Sequence, residues 1–297
     1  MSESASPRRF FVADLFGWAP KCDIPTMEHP LFALRAGDRR VRVYERNGVT
    51  VTIKPGVDGG ATIHDKDLWI YCISQLIEAA NRGRTDISRT VRFAAYDFLV
   101  ATCRQTRGQA GGRSYRLLGD ALSRLAGTRI ETNIETAKKR ERGFFGLIDS
   151  AKVIARDGNN RMVAVEVTLP EWLHRSVQTN RVLTISSDYF RLRKPLERRL
   201  YELARKHCGH QGKWRASVAT LHAKSGSRDL LKRFRTGLKA AVARNALPGY
   251  RMALDPKSEV VTFYARGVHG VKAALADVLA GLQKIRPPDE PVHDVSG

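Results

Sequence analysis

Apolar residues at Leu68, Cys72, Ile73, Leu76 and Ile77 recur at the three- and four-residue spacing of one helix face. They predict a helix over 65–80 with Asp65 capping its start. Before it, 41–54 alternates apolar and polar positions around Asn47-Gly48, a pair that tolerates the positive φ angles of a tight turn, and this predicts a β-hairpin. A strand at 90–93 and a helix at 96–103 follow. Beyond the glycines at 108, 111 and 112, a third helix is expected over 114–126. Ser114 would be its N-cap, Gly127 its terminator, and Tyr115, Leu118, Leu122 and Leu125 its buried stripe. Alternation then predicts strands at 128–134, 144–155 and 161–169, the first two joined by a basic loop. Helices followed by a hairpin with a basic tip is the order of a winged helix.

The second half repeats the order. Pro195 can open a helix at its first position, with Leu196, Leu200, Leu203 and Ala204 as its stripe. A short second helix is expected at 214–224. A third, at 230–245, has Leu231, Phe234, Leu238 and Val242 on its apolar side, and strands at 251–254 and 259–264 would form a second wing. The expected fold is α+β, two tandem winged-helix domains. The expected divisions are an irregular arm over 1–40, a first winged-helix domain over 41–185 serving dimerisation and DNA contact, a second and main DNA-binding domain over 186–266, and a tail over 267–297. That tail would hold a helix at 271–282 and then become disordered.

Charge adds the function class. The chain has 297 residues, 42% of them hydrophobic and 27% charged, enough apolar material for packed cores. Its formal net charge is +21, and 191–251 alone holds 17 Lys or Arg against Glu197, Glu202 and Asp229, a local excess of 14. Such a concentration suits a polyanionic partner, nucleic acid above all. No run reaches the roughly 18 apolar residues of a membrane span, and the first residues lack the apolar centre of a signal peptide. Cys22, Cys72, Cys103 and Cys208 are too scattered for a disulfide framework, so the expectation is a cytoplasmic protein without membrane contact.

The candidate DNA contacts centre on the helix at 230–245. Lys232, Arg235 and Lys239 fall at i, i+3 and i+7 on a helix without acids, beside Arg233, with Arg228 and Arg215 preceding it and Arg251 on the following strand. In the first domain the candidates are Arg113, Arg116 and Arg124 on its third helix, and Lys138, Lys139, Arg140 and Arg142 at the wing tip. No catalytic residue, metal ligand or cofactor is expected. His64-Asp65-Lys66-Asp67 reads as a helix start, His207-Cys208-Gly209-His210 as a helix end without the second ligand pair of a zinc site, and no phosphate-binding G-x-x-x-x-G-K-[ST] occurs.

Several phrases carry a resemblance: Phe10-Phe11-Val12-Ala13-Asp14, Met27-Glu28-His29-Pro30-Leu31-Phe32, Ile63-His64-Asp65-Lys66-Asp67, Tyr71-Cys72-Ile73-Ser74-Gln75-Leu76, Arg89-Thr90-Val91-Arg92-Phe93, Leu125-Ala126-Gly127-Thr128, Gly146-Leu147-Ile148-Asp149-Ser150 and, most specific, the run from Tyr189-Phe190-Arg191-Leu192-Arg193-Lys194-Pro195 to Leu196-Glu197-Arg198-Arg199-Leu200-Tyr201. Over about 9–266 the chain resembles the bacterial plasmid replication initiator protein A family. The resemblance implies binding to repeated double-stranded sites at a plasmid origin, local duplex opening, recruitment of the host initiator and replicative helicase, and two winged-helix domains. It also implies a homodimer in exchange with monomer. Within this chain the hairpin at 41–54 is the expected dimer edge, with Val43 and Val51 in the interface. The resemblance transfers no base-contacting residues, and the tail after Arg266 departs from the shared pattern. Two other readings stand beside it: a winged-helix transcriptional repressor, which a ligand pocket would favour, and an origin-nicking or primer-making enzyme.

Overall fold

The computed structural model describes residues 19–46, 48–84, 88–104, 110–133, 143–156, 162–179, 181–209 and 211–281. The chain starts with strand β1 (Lys21–Asp23) and helix α1 (Ile24–Glu28). The Asp23 carboxylate accepts hydrogen bonds from the Thr26 amide and from the Trp69 indole N–H, both at 2.9 Å. Cys22 and Met27 are fully buried. Residues 19–40, expected as an irregular arm, are therefore packed into the molecule; their prolines open and close short elements around buried anchors. Hairpin β2 (Arg42–Arg46) and β3 (Val49–Lys54) follows as expected.

Next come α2 (Lys66–Asn81), β4 (Thr90–Ala94), α3 (Ala95–Ala101) and α4 (Ala110–Gly127). The predicted stripe of α4 is inward: Leu118, Leu122 and Leu125 are buried and Tyr115 packs against them. Ser114 is not its N-cap. The helix starts four residues earlier, and the Ser114 hydroxyl donates to the Arg104 carbonyl at 3.0 Å. Strands β5 (Arg129–Thr132), β6 (Gly143–Gly146), β7 (Ser150–Arg156) and β8 (Met162–Thr168) follow. The single strand expected at 144–155 is thus two, separated by buried Leu147 and Ile148. β5 and β6 extend the first hairpin into a sheet ordered β2-β3-β5-β6, while β7 and β8 join β4 in the order β4-β8-β7. The hairpin that closes the first unit is therefore β7–β8, and the basic loop expected as its wing tip falls between β5 and β6, outside the described residues.

Helix α5 (Glu171–Gln178), which periodicity did not reveal, and β9 (Val182–Thr184), paired with β1, lead to a 3-10 turn at Ser187–Arg191. The second unit is α6 (Pro195–Cys208), β10 (Lys213–Ser217), α7 (Val218–Ser225), α8 (Leu231–Arg244), β11 (Tyr250–Asp255) and β12 (Val260–Ala265), with sheet order β10-β12-β11. The helix expected at 214–224 is half strand: Lys213, Arg215 and Ser217 alternate with Trp214 and Ala216, and Ser217 caps α7 by accepting from the Thr220 amide at 3.1 Å. Helix α9 (Val268–Leu279) ends the described chain, and the disorder expected beyond it lies outside the described residues.

The two units share the series helix, strand, helix, helix and closing hairpin, with β5 and β6 inserted before the hairpin in the first, and in both sheets the strand after the first helix pairs with the last strand of the hairpin. Each has its own apolar core, one around Trp69, Phe93, Phe98 and Leu125, the other around Leu200, Phe234, Leu238 and Phe263. Val51, expected in a dimer edge, lies inside the first core with no exposure, because β3 is the inner strand of its pair; Val43 on the edge strand β2 is 61% exposed.

Candidate nucleic-acid interface

Phe234, Leu238 and Ala241 seat α8 in the second core. This turns Lys232, Arg233, Thr236 and Lys239 outward. Its first turn carries no acid, and its start presents free backbone N–H groups, so the helix dipole adds positive potential to that of the side chains. The C-terminal end is fixed by Asn245, left-handed at φ 48°, whose amide oxygen accepts from the Met252 N–H at 3.0 Å. That bond ties helix to hairpin.

The structure sorts the predicted contacts. Lys232 and Lys239 are exposed; neither forms an ion pair among the described residues, though the Lys239 charge lies near enough to Glu259 to help lower that carboxyl's pKa. Arg233 is also exposed, with Asp229 at 3.7 Å. On α4, which holds the matching place in the first unit, Arg113 and Arg116 are exposed. Three of the expected contacts already have an acidic partner within the chain. Arg124 forks onto Asp65 with two contacts of 2.8 Å, so Asp65 is spent on that pair and on the Thr62 amide rather than on capping α2. Arg228 pairs with the buried Asp38 at 2.5 Å. Arg235 forks onto Glu259 at 2.6 and 2.9 Å, which raises the guanidinium pKa through the hydrogen bond and lowers that of the carboxyl. In each case the neutralising acid comes from a distant stretch of sequence. Arg215 and the half-buried Arg251 occupy strand positions that alternate with the core residues Trp214, Ala216 and Met252, so they lie across the sheet from α8 rather than beside it. Lys138, Lys139, Arg140 and Arg142 lie outside the described residues.

The same holds for the basic stretch at large. Arg198 and Arg199, the centre of the most specific phrase, are 1% and 2% exposed. Arg198 pairs with Asp67 and donates to the Leu192 and Phe190 carbonyls. Arg199 binds Glu202 at 3.0 Å and the carbonyls of Thr26, Met27, Glu28 and Lys224. Lys66 reaches Glu202 at 2.9 Å, and the hydroxyl of Tyr189 donates to the same carboxylate at 2.8 Å. These residues join α2 of the first unit to α6 of the second. His64-Asp65-Lys66-Asp67 is therefore part of a junction, not merely a helix start.

Two residues that sequence reasoning missed brace the turn before α8. Arg35 binds Asp229 at 2.8 Å, and Asp38 takes Arg228. No local pattern could reveal them, since nearly 200 residues separate the partners. Among the described residues no group of three His, Cys, Asp or Glu is placed to hold a metal. A cleft of about 550 Å³ lies beside β10, lined by Glu28, His207, Trp214, Arg215, Thr220 and Lys224. Its carboxylate is already held by Lys206, His207 and Lys224. Cys208 ends α6 and Gly209 follows at φ 47°, as expected of a helix terminus.

A family model described as replication initiator protein A matches residues 21–252. The chain belongs to that family. A protein of Wigglesworthia glossinidia brevipalpis, provisionally named a replication protein, is 44% identical over 262 residues, covering 87% of this chain and 94% of its own. Among solved structures, domains 2 and 3 of RctB are similar in fold, at 11% identity and a TM-score of 0.58 over 86% of this chain and all of that one. A second RctB structure of the same domains gives 12% identity and 0.53 over 84% and 99%. A replication initiator role is thus supported by family and a relative. No helix among the described residues is long and apolar enough to cross a membrane.

Proposed function

We propose that the protein initiates plasmid replication by binding repeated double-stranded sites at the origin through two winged-helix units. The observation that carries this reading is the repetition itself: apart from β5 and β6, inserted in the first unit, the order of elements and the sheet order occur twice, and the third helix of each unit, α4 or α8, turns basic residues outward. A major groove about 12 Å wide admits one such helix. Lys232, Arg233 and Lys239, with Arg113 and Arg116, would set the protein on phosphates, and bending between the two contacts would favour melting of a nearby AT-rich segment. The protein would act by binding alone, in the cytoplasm, bring in the host initiator and helicase by protein contacts, and repress its own gene where sites overlap the promoter.

The test is a gel shift on origin repeats against random competitor across a salt series. About four to six phosphate contacts give a slope of log affinity against log salt near −4 to −5. Binding that ignores both sequence and salt sinks the reading.

A further inference from the structure

Helix α9 packs the wrong way round for an ordinary surface helix. An amphipathic helix turns its large apolar residues to the core and its polar ones to water. In α9 the buried residues are Gly270 and Asp277. Gly270 sits so close to the end of β12 that an added Cβ would stand 1.8 Å from the Ala265 carbonyl oxygen. Asp277 is 5% exposed and accepts hydrogen bonds from the Lys213 ammonium at 2.8 Å and the Tyr264 hydroxyl at 2.7 Å. A glycine contact and a buried carboxylate thus fix the rotation of the helix. That rotation leaves Val268, Val271, Leu275, Val278 and Leu279 outward, between 39% and 79% exposed.

The outward residues have a definite spacing. Val268, Val271, Leu275 and Val278 follow steps of three, four and three, the a and d positions of a heptad. Such a stripe presents knobs to another helix with the same stripe. We infer that α9 is a self-association surface, on which a second copy of this chain seats its own α9 about a twofold axis.

Charge favours a second copy here over any other face. Two chains of formal charge +21 repel one another, and their closest approach is easiest where basic groups are few. The exposed side of α9 carries only Lys272 and the imidazole of His269 among its 12 residues. The helix lies over the outer face of the β10-β12-β11 sheet, with α8 packed on the inner face, so pairing through α9 leaves both α8 helices open. The area is adequate for a reversible contact. An exposed apolar patch on a typical monomer reaches roughly 300 to 600 Å², and covering one on each of two copies buries on the order of 1,000 Å², the low end for a specific interface. The inference does not depend on the DNA reading.

Sedimentation of the full chain without DNA tests it, over a concentration series, with L275K and V43K beside the wild type. The wild type should shift from one chain to two as concentration rises. L275K should weaken that association about tenfold or more with its thermal midpoint unchanged, and V43K on the β2 edge should behave as wild type. As a second readout, L275C in a C103S background should form a covalent dimer on mild oxidation, and V57C in the same background, 85% exposed and distant in sequence, should not. The inference is overturned if the wild type stays monomeric at every concentration. It is equally overturned if V43K rather than L275K dissociates the pair, which assigns the interface to the hairpin edge. A fall in the thermal midpoint of L275K at unchanged mass also overturns it, because the stripe is then covered within one chain.

Discussion

A lysine or arginine counted in sequence contributes to a DNA-facing surface only if no acid reaches it, and the cations of this chain divide on that point. Lys232 and Lys239 stand on the outer face of α8, whereas Arg124 is locked to Asp65 through both guanidinium edges. The proposed interface therefore makes opposite demands on them. K232A and K239A should each weaken binding to specific and random DNA and lower the salt slope by about 1, with unchanged thermal stability. R124A leaves Asp65 buried without its cation, so it should cost about 1 to 3 kcal/mol of stability in urea unfolding while the salt slope of the folded protein stays the same. If R124A lowers the slope as much as K239A does, α4 meets DNA through its C-terminal turn and the division fails. These assignments could not be read from the chain. Within 191–251 the 17 cations face only three acids, but Asp38, Asp67, Glu28, Glu259 and Asp277, which pair with Arg228, Arg198, Lys206, Arg235 and Lys213, all come from outside it.

Elements were legible where one face alone meets the core. α4 and α8 follow the 3.6-residue period because each buries one stripe, while α2 and α6 bury their predicted apolar residues together with charged ones; Tyr115, Leu196, Leu231 and Val242 from the predicted stripes are only partly covered. β10 was not legible: five residues of Lys-Trp-Arg-Ala-Ser fit a helix start as well as a strand, and only pairing with β12 decides between them. Half-buried histidines, which periodicity ignores, flank the short α1 and the start of α2. Burial pushes His29, just after α1, and His64, just before α2, down to about 4 from the usual 6.5. Arg199, Lys224 and Lys206 deepen the shift at His29, and Arg198 and Arg104 at His64. Both are neutral in the folded state, while the unfolded chain takes up protons below about 6.5. Stability is thus complete above pH 6.5 and falls as the pH drops towards 4, by about 2 to 4 kcal/mol for the two together. Below about 4.5 a further loss is expected. Burial opposes ionisation of Glu28, but hydrogen bonds from His207, Lys206 and Lys224 outweigh it and hold its carboxyl well below the ordinary range. Urea unfolding between pH 7 and 4.5 checks the first part, and H29Q with H64Q should flatten it. A flat profile in the wild type would mean that both rings take up protons without cost in the folded state.

In the whole molecule the two units meet through buried charge as well as through Ile70 of α2, which lies in the second apolar core. Asp67 receives Arg198 from α6 and Arg104 from its own unit, the latter at 2.7 Å, and Lys66 receives Glu202; Asp67, Lys66, Arg198 and Glu202 are all at most 2% exposed in their side chains. A buried pair contributes little net stability against a well-packed apolar substitute, but removing one partner leaves a charge in a medium that cannot solvate it. The junction therefore acts as a specific lock: it tolerates one relative placement of α2 and α6 and penalises others. Two consequences should appear together. The wild type should unfold in one transition by both far-ultraviolet circular dichroism and tryptophan fluorescence, although a chain of 297 residues with two cores would ordinarily show two. D67N keeps the shape and removes the charge, so it should lower stability by about 3 to 5 kcal/mol and separate the two probes. Trp69 and Trp172 would report the first core and Trp214 the second. A lock of this kind fixes the distance and angle between α4 and α8, as binding to one face of a bent duplex requires. D67N should then lose affinity for an intact origin repeat while the second unit, still folded on its own core, keeps its salt-dependent affinity for random DNA. Should D67N unfold in a single transition and bind the repeat as tightly as wild type, the ion pairs are incidental and the apolar contacts of Ile70 with the second core hold the units in register.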